Sequence, residues 1–249
     1  MSARHRHGGR NALLLVASLF ALWQAMYWAV GDAALSSPLA TLRYTANLVT
    51  GENFRMHLFD TMRAFTIAFV LSVVIGLLVG FWLGFDRLSG DALEPMIVTV
   101  YAIPKLTLYP ILLLAFGLGL SAKVAFGVLH GTIPIILFTL GAVRNTKPIL
   151  LKTGHVLKLS RPQMVRWILF PAAVPEIFTG LRVGFSLTLI GSLLAEMFAS
   201  QRGLGYLLMN GIGLHNIELV MSVTLLIVVF AASVSTLLLH IDRRLHRQE

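Results

Sequence analysis

Six apolar runs set the rhythm of the chain, at residues 12–30, 64–83, 96–116, 122–143, 183–198 and 219–239. Each approaches the roughly 20 residues that a helix needs to cross a hydrocarbon core of about 30 Å. The pattern therefore predicts six membrane-spanning helices, the fifth short and starting inside the polar segment before it. That segment, residues 144–182, is basic and punctuated by proline. Ser160 followed by Gln163 forms a capping box with Pro162 in the first turn, so a helix should start there. Met164, Val165, Ile168 and Leu169 then fall on one face and Gln163 and Arg166 on another, giving an amphipathic helix of about two to three turns. Pro171 is expected to stop it. Such a helix suits a partner's surface better than lipid. Residues 31–60 are long enough to carry a second small amphipathic helix.

Composition places these helices in a membrane. Hydrophobic residues make up 57% and charged residues 12%, with a mean hydropathy of +0.80, which defines an all-α integral membrane protein. Cysteine is absent, which removes disulfides and thiolate metal sites. The net charge of +9 does not imply nucleic acid, because the basic residues sit in loops where bilayer orientation accounts for them. Of the 20 Lys and Arg, Arg43, Arg55, Arg63, Lys123 and Arg202 fall on one side and Lys105 within a span, while all the rest fall on the other side. The positive-inside rule puts that richer side, with both termini and the long loop, in the cytoplasm. The first run follows Arg4, Arg6 and Arg10, but it is longer than a secretory h-region and reads as a retained anchor. The expected organisation is a basic tail at 1–11, a first span and outer segment at 12–61, a transmembrane domain at 62–239 containing the loop 144–182, and a second basic tail at 240–249.

Candidate chemistry is sparse. No Gly-x-x-x-x-Gly-Lys-Ser/Thr phosphate loop occurs, so ATP hydrolysis and cofactor binding are not expected of this chain. His57, His130, His155, His215, His240 and the tail histidines lack ligand spacing, and no metal site is expected. Lys105 lies about nine residues, or roughly 13 Å, into the third span, between Pro104 and Pro110, which should break the helix. Two readings stand: a gate or contact for an anion, or a lysine that snorkels to the interface. Glu196 falls near the outer end of the fifth span, as a gate residue or as a hydrogen-bonded structural group. Arg182 is expected to anchor the loop to lipid phosphate or a neighbouring carbonyl. Gly127, Gly131, Pro134 and Gly141 suggest close packing and a kink. An ATPase-independent channel or secondary transporter is the alternative, but it calls for paired ionisable groups deep in the spans, and the sequence offers almost none.

Several stretches together resemble a known family. They are Asp86-Arg87-Leu88 with Leu93-Glu94-Pro95, Ile103-Pro104-Lys105 through Phe116-Gly117-Leu118-Gly119, Phe170-Pro171-Ala172-Ala173-Val174-Pro175 with Gly180-Leu181-Arg182, Ala195-Glu196-Met197, and Gly203-Leu204-Gly205-Tyr206. In this order and spacing they resemble the membrane permease subunit of binding-protein-dependent ABC importers, in the nitrate, sulfonate, taurine and bicarbonate branch. The resemblance implies a type I importer fold in a bacterial inner membrane, paired with a second copy, with cytoplasmic ABC ATPase subunits that bind the ATP, and with an extracytoplasmic substrate-binding protein. It makes the loop a coupling element, with Lys152, Gly154, Lys158, Ser160, Arg161, Arg166, Pro171 and Pro175 as its residues. It places Pro104, Lys105 and Glu196 on the path or gate. The family's Glu-Ala-Ala triplet and following glycine fall here on Lys152, Thr153, Gly154 and Lys158, so an acid has become a base, and Lys158 resists the positive φ that glycine accepts. Either Gly154 and Ser160 supply the flexibility from nearby and the ATPase surface has changed to match, or the chain has exchanged its usual motor.

Overall fold

The computed structural model describes residues 3–32 and 34–245, with side chains for all of these except 3–13, 161 and 243–245. The expected tails at 1–11 and 240–249 therefore lie partly outside the described residues. Among the described residues the fold is entirely helical. Its helices are α1 (Ala3–Val30), α2 (Pro38–Thr50), α3 (Glu52–Phe85), α4 (Arg87–Ala102), α5 (Tyr109–Phe116), α6 (Leu120–Arg144), α7 (Pro148–Val156), α8 (Arg161–Met164), α9 (Phe170–Ala199), α10 (Leu204–Gly213) and α11 (Ile217–Leu245). The small helix expected within 31–60 is α2, started by Ser37, whose hydroxyl accepts the Ala40 N–H at 3.2 Å.

Helices α3, α6 and α9 pack together as the centre of the bundle. Small residues let them approach: a Cβ at Gly76 would lie 2.6 Å from Ile135, and one at Gly80 would lie 2.6 Å from Thr139. Helices α10 and α11 close one end around Phe54, Leu204, Leu207 and Val223. Four helical stretches are long and apolar enough to cross a membrane: Glu52–Phe85, Leu120–Arg144, Pro162–Ala199 and Ile217–Asp242. The apolar part of α1 among residues with described side chains is Leu14–Val30.

Three features differ from the sequence expectations. The run at 96–116 is not one straight helix, because α4 and the segment Lys105–Phe116 meet at 89°. Pro104 has no N–H to donate and drives Ile103 to φ −65°, ψ 135°, while Pro110 opens α5, where a missing N–H costs nothing. Pro171 does not stop the loop helix. A π turn at Val165–Leu169 joins α8 to α9, with the Phe170 N–H donating to the Val165 carbonyl, so the wider turn absorbs the proline and the helix runs on. The fifth span thus begins inside the loop, as its short apolar run suggested, and Pro162–Ala199 forms 38 residues of helix. Finally, Lys158 does take a left-handed conformation, at φ +51°.

Candidate functional site

The end of the bundle near Glu196 is held by a buried polar network built from three long helices. Glu196 on α9 is fully buried and Lys123 on α6 is 5% exposed. Their side chains meet at 3.3 Å. Carboxylate oxygens of Glu196 also accept the Thr61 hydroxyl of α3 at 2.7 Å and the Gly205 N–H at 3.0 Å. Thr61 Oγ1 in turn accepts the Leu204 N–H at 2.8 Å, and His57 Nδ1 accepts the Gly203 N–H at 3.0 Å. The N–H groups that open α10 would otherwise be unsatisfied, and a carboxylate there also suits the positive end of the helix dipole. Gly203 has φ +118°, and any Cβ on it would strike the Glu196 carboxylate, so only glycine fits the turn. Lys123 Nζ completes the arrangement by donating to the Arg202 carbonyl at 2.7 Å. Next to it, the Tyr109 hydroxyl of α5 donates to the Ala195 carbonyl at 2.7 Å.

A charge pair out of water is held only if its remaining hydrogen-bonding capacity is met. Here every partner of Glu196 belongs to a different element, so the pair fixes α3, α6, α9 and the start of α10 relative to one another. The sequence pointed to Glu196 alone. Lys123, Thr61 and His57 were missed, and the signal that could have found Lys123 is a lone lysine four residues into an apolar helix with no acid nearby on its own face.

The opposite end carries the loop. Helix α7 ends in a turn where the Leu159 N–H reaches the Gly154 carbonyl and the Lys158 N–H reaches the His155 carbonyl, both at 3.0 Å. This is a Schellman cap with Lys158 at the position that usually takes glycine. The expectation that Gly154 lends flexibility is corrected by its place inside α7. It is buried, and a Cβ there would lie 2.5 Å from Met164 and 2.9 Å from Ile168, so it permits α7 to cross the following helix closely. The capping box forms on its return side, with the Ser160 N–H donating to Gln163 Oε1 at 2.8 Å. Met164 and Leu169 are buried, while Lys152, Gln163 and Arg166 are exposed, as the amphipathic pattern predicts. The side chain of Arg161 lies outside those described. Val156, Leu157 and Trp167 are 81%, 64% and 66% exposed, with the Arg166 guanidinium 5.5 Å from the Trp167 ring. Pro171 is exposed and Pro175 buried, and both line a cavity shared with Lys147 and Glu176.

The loop is tied to the bundle by ions. Arg144, at the C-terminus of α6, meets Asp91 at 2.8 Å and Glu94 at 2.7 Å, which fixes the turn between α3 and α4. Arg182 pairs with Asp242 of α11 at 3.8 Å. Pro104 is exposed at the α4–α5 bend. Lys105 donates to the Tyr101 carbonyl at 3.0 Å and lies 4.6 Å from that ring's centre, so it satisfies an acceptor freed where α4 breaks. Lys105 is not joined to the Glu196 network by any hydrogen bond or ion pair among the described residues.

A bundle of membrane-length helices, locked at one end by a buried ion pair and presenting a cationic, apolar-tipped loop at the other, defines a polytopic membrane protein. The chain belongs to the family of binding-protein-dependent transport system inner membrane components, whose model matches residues 72–247. It is 26% identical over 210 residues to a putative aliphatic sulfonates transport permease of Bacillus subtilis, covering 83% of this chain and 76% of that one. It is 33% identical over 205 residues to a riboflavin transport system permease of Chloroflexus aurantiacus, covering 81% and 76%. Its fold matches a chain of the MetNI methionine ABC transporter in inward-facing form, with a TM-score of 0.67 at 18% identity, over 76% of this chain and 94% of that one.

Proposed function

We propose that the chain is the non-catalytic permease subunit of an ATP-driven importer for a small anion, working as a pair of copies with six spans each. The bent α4–α5 pair and α1 supply the two spans beyond the four long helices. Both termini and the loop face the cytoplasm, and the Glu196 end faces outward, where a substrate-binding protein delivers cargo. ATP is bound and hydrolysed by cytoplasmic ATPase subunits that receive the loop. Membrane lipid surrounds the apolar faces of α1 and α11.

The observation that carries this reading is the continuous helix Pro162–Ala199, which joins the exposed loop at one end to the Glu196 network at the other. A partner that moves Trp167 and Arg166 therefore moves a helix that also carries the outer lock. Lys152, Lys158 and Arg166 make this loop cationic, so its ATPase is expected to present acidic groups where it receives them. The similarity to the riboflavin permease favours a second reading of the cargo, an aromatic metabolite, with the same machinery.

Affinity purification of the tagged chain from native membranes in mild detergent tests the assignment. A phosphate-loop ATPase should co-purify, and scrambling residues 161–171 should release it. A well-folded chain that comes alone would overturn the ATP-driven reading and leave a channel or secondary transporter.

A further inference from the structure

Beside the Glu196 network lies a cavity of about 600 Å³ lined by Asp60, Arg63, Lys123 and Arg202 and by the start of α6 at Gly119 and Leu120. Its volume is in the range of about 300–1,000 Å³ that encloses small ligands. Three of its lining side chains are cationic and one is acidic; Lys123 is paired with Glu196, while Arg63 and Arg202 are exposed at the cavity mouth. Among the described residues neither Arg63 nor Arg202 makes an ion pair, and Asp60 makes none with either of them.

The backbone that carries Arg202 is fixed twice. Its carbonyl accepts Lys123 Nζ at 2.7 Å and the Ser200 hydroxyl at 2.6 Å, and its N–H donates to Ser200 Oγ at 3.1 Å. The main chain is thus set while the guanidinium stays free at the cavity. Arg63 is two residues along α3 from Thr61, so the same network that holds Glu196 sets its position. The first turn of α6 adds donors: it contains no acidic residue, and Gly119 gives it no side-chain cap. At the start of α10, by contrast, Glu196, Thr61 and His57 occupy the equivalent N–H groups.

We propose that this cavity is a subsite for a small oxyanion, held by the forked guanidinium groups of Arg63 and Arg202 with the open N–H groups of α6 behind them. Guanidinium presents paired donors in the geometry that a nitrate, sulfonate or sulfate accepts, and a helix N-terminus favours the same charge. Lys123, neutralised by Glu196, gives the cavity a fixed wall and leaves the positive charge there to Arg63 and Arg202. The proposal rests on the reading that this end faces outward, and it deepens that reading by naming where the anion first meets the permease. A phospholipid phosphate shares the chemistry, and the test separates the two sources.

The experiment follows phenylglyoxal labelling of individual arginines in the purified full-length chain by peptide mass spectrometry, with methanesulfonate or nitrate added at constant ionic strength. In phosphate-free maltoside detergent, either anion should slow labelling of Arg63 and Arg202 about fivefold or more, leaving Arg43 and Arg55 unchanged. Arg63→Gln should remove the protection at Arg202 while leaving the thermal midpoint in place. Equal slowing at all four arginines would be an ionic effect and would overturn the site. Protection in phosphatidylcholine nanodiscs without added anion, and none from either anion in maltoside, would make the occupant a lipid headgroup and overturn the proposal. Protection seen only with a binding protein present would make the cavity a protein contact and overturn it as well. ATPase co-purification is scored on the same preparations, so a missing site with the motor present is distinguished from a missing motor with the site intact.

Discussion

Removing one member of the Lys123–Glu196 pair should be costlier than removing both. In Lys123→Met, Glu196 keeps the Thr61 hydroxyl and the Gly205 N–H but loses its counter-charge, with none of its surface exposed to water. Breaking a buried pair in this way costs about 3–5 kcal/mol. At about 2–4 °C per kcal/mol for a chain of this size, the midpoint should fall by roughly 6–20 °C. Glu196→Gln keeps the shape and an acceptor for Gly205, but turns the ammonium of Lys123 into the orphan, with only the Arg202 carbonyl left to it. The double variant removes both charges and keeps the amide acceptor. It should recover most of the loss: with about 3–5 kcal/mol lost in each single variant and about 1–2 kcal/mol in the double, the coupling is at least about 4 kcal/mol. Thermal unfolding in a fixed detergent, followed by loss of monodisperse protein, reads all four corners of the cycle. Single variants within about 1 kcal/mol of the parent, or strictly additive losses, would refute the view that the pair locks the helices by mutual neutralisation.

Three further outcomes follow from the loop and the bend. Lys158→Gly should stabilise the α7 turn by about 0.5–1 kcal/mol by relieving a left-handed L-residue, seen as slower limited proteolysis at that turn; faster cleavage would mean that the lysine side chain holds it. Trp167→Ala should weaken association with the ATPase by about 2 kcal/mol, as for an aromatic anchor, with an unchanged midpoint for the isolated chain; unchanged association measured by pull-down would remove Trp167 from the interface. Lys105→Met should abolish substrate uptake into proteoliposomes while the assembled complex is retained, and full uptake would leave Lys105 only its bond to the Tyr101 carbonyl.

Helix content was legible because runs of apolar residues leave few alternatives in a bilayer, and α6 begins and ends within two residues of its apolar run. Two of the three departures concern proline. Pro104 and Pro171 each lack an N–H, yet one bends the chain by 89° and the other is absorbed in a π turn. What differs is the packing around them: Leu169 is buried beside Met164 and Val143, which holds the turn at Pro171, whereas Ile103 and Pro104 are exposed. Such neighbours come from distant parts of the chain. The same is true of the Glu196 network, whose members Thr61 and Lys123 lie 135 and 73 residues away from it in sequence. Loop polarity was readable from i, i+4 spacing. Lys158 was not, since a left-handed turn on a lysine is imposed by the cap around it.

The π turn carries a geometric consequence of its own. Met164 and Leu169 are both buried, and the buried positions then continue through Ala173 and Ile177. In an unbroken α-helix at 100° per residue, residues five apart point about 140° from each other, so a stripe that ends at Leu169 would leave Met164 on the far side. The extra residue in the turn brings the two faces into phase. A rotation imposed on the loop about the helix axis is therefore delivered to the buried side of the long span with no angular offset, and its amplitude at Glu196 is set by the stiffness of that helix against the partners that hold Glu196 on α3, α6 and α10.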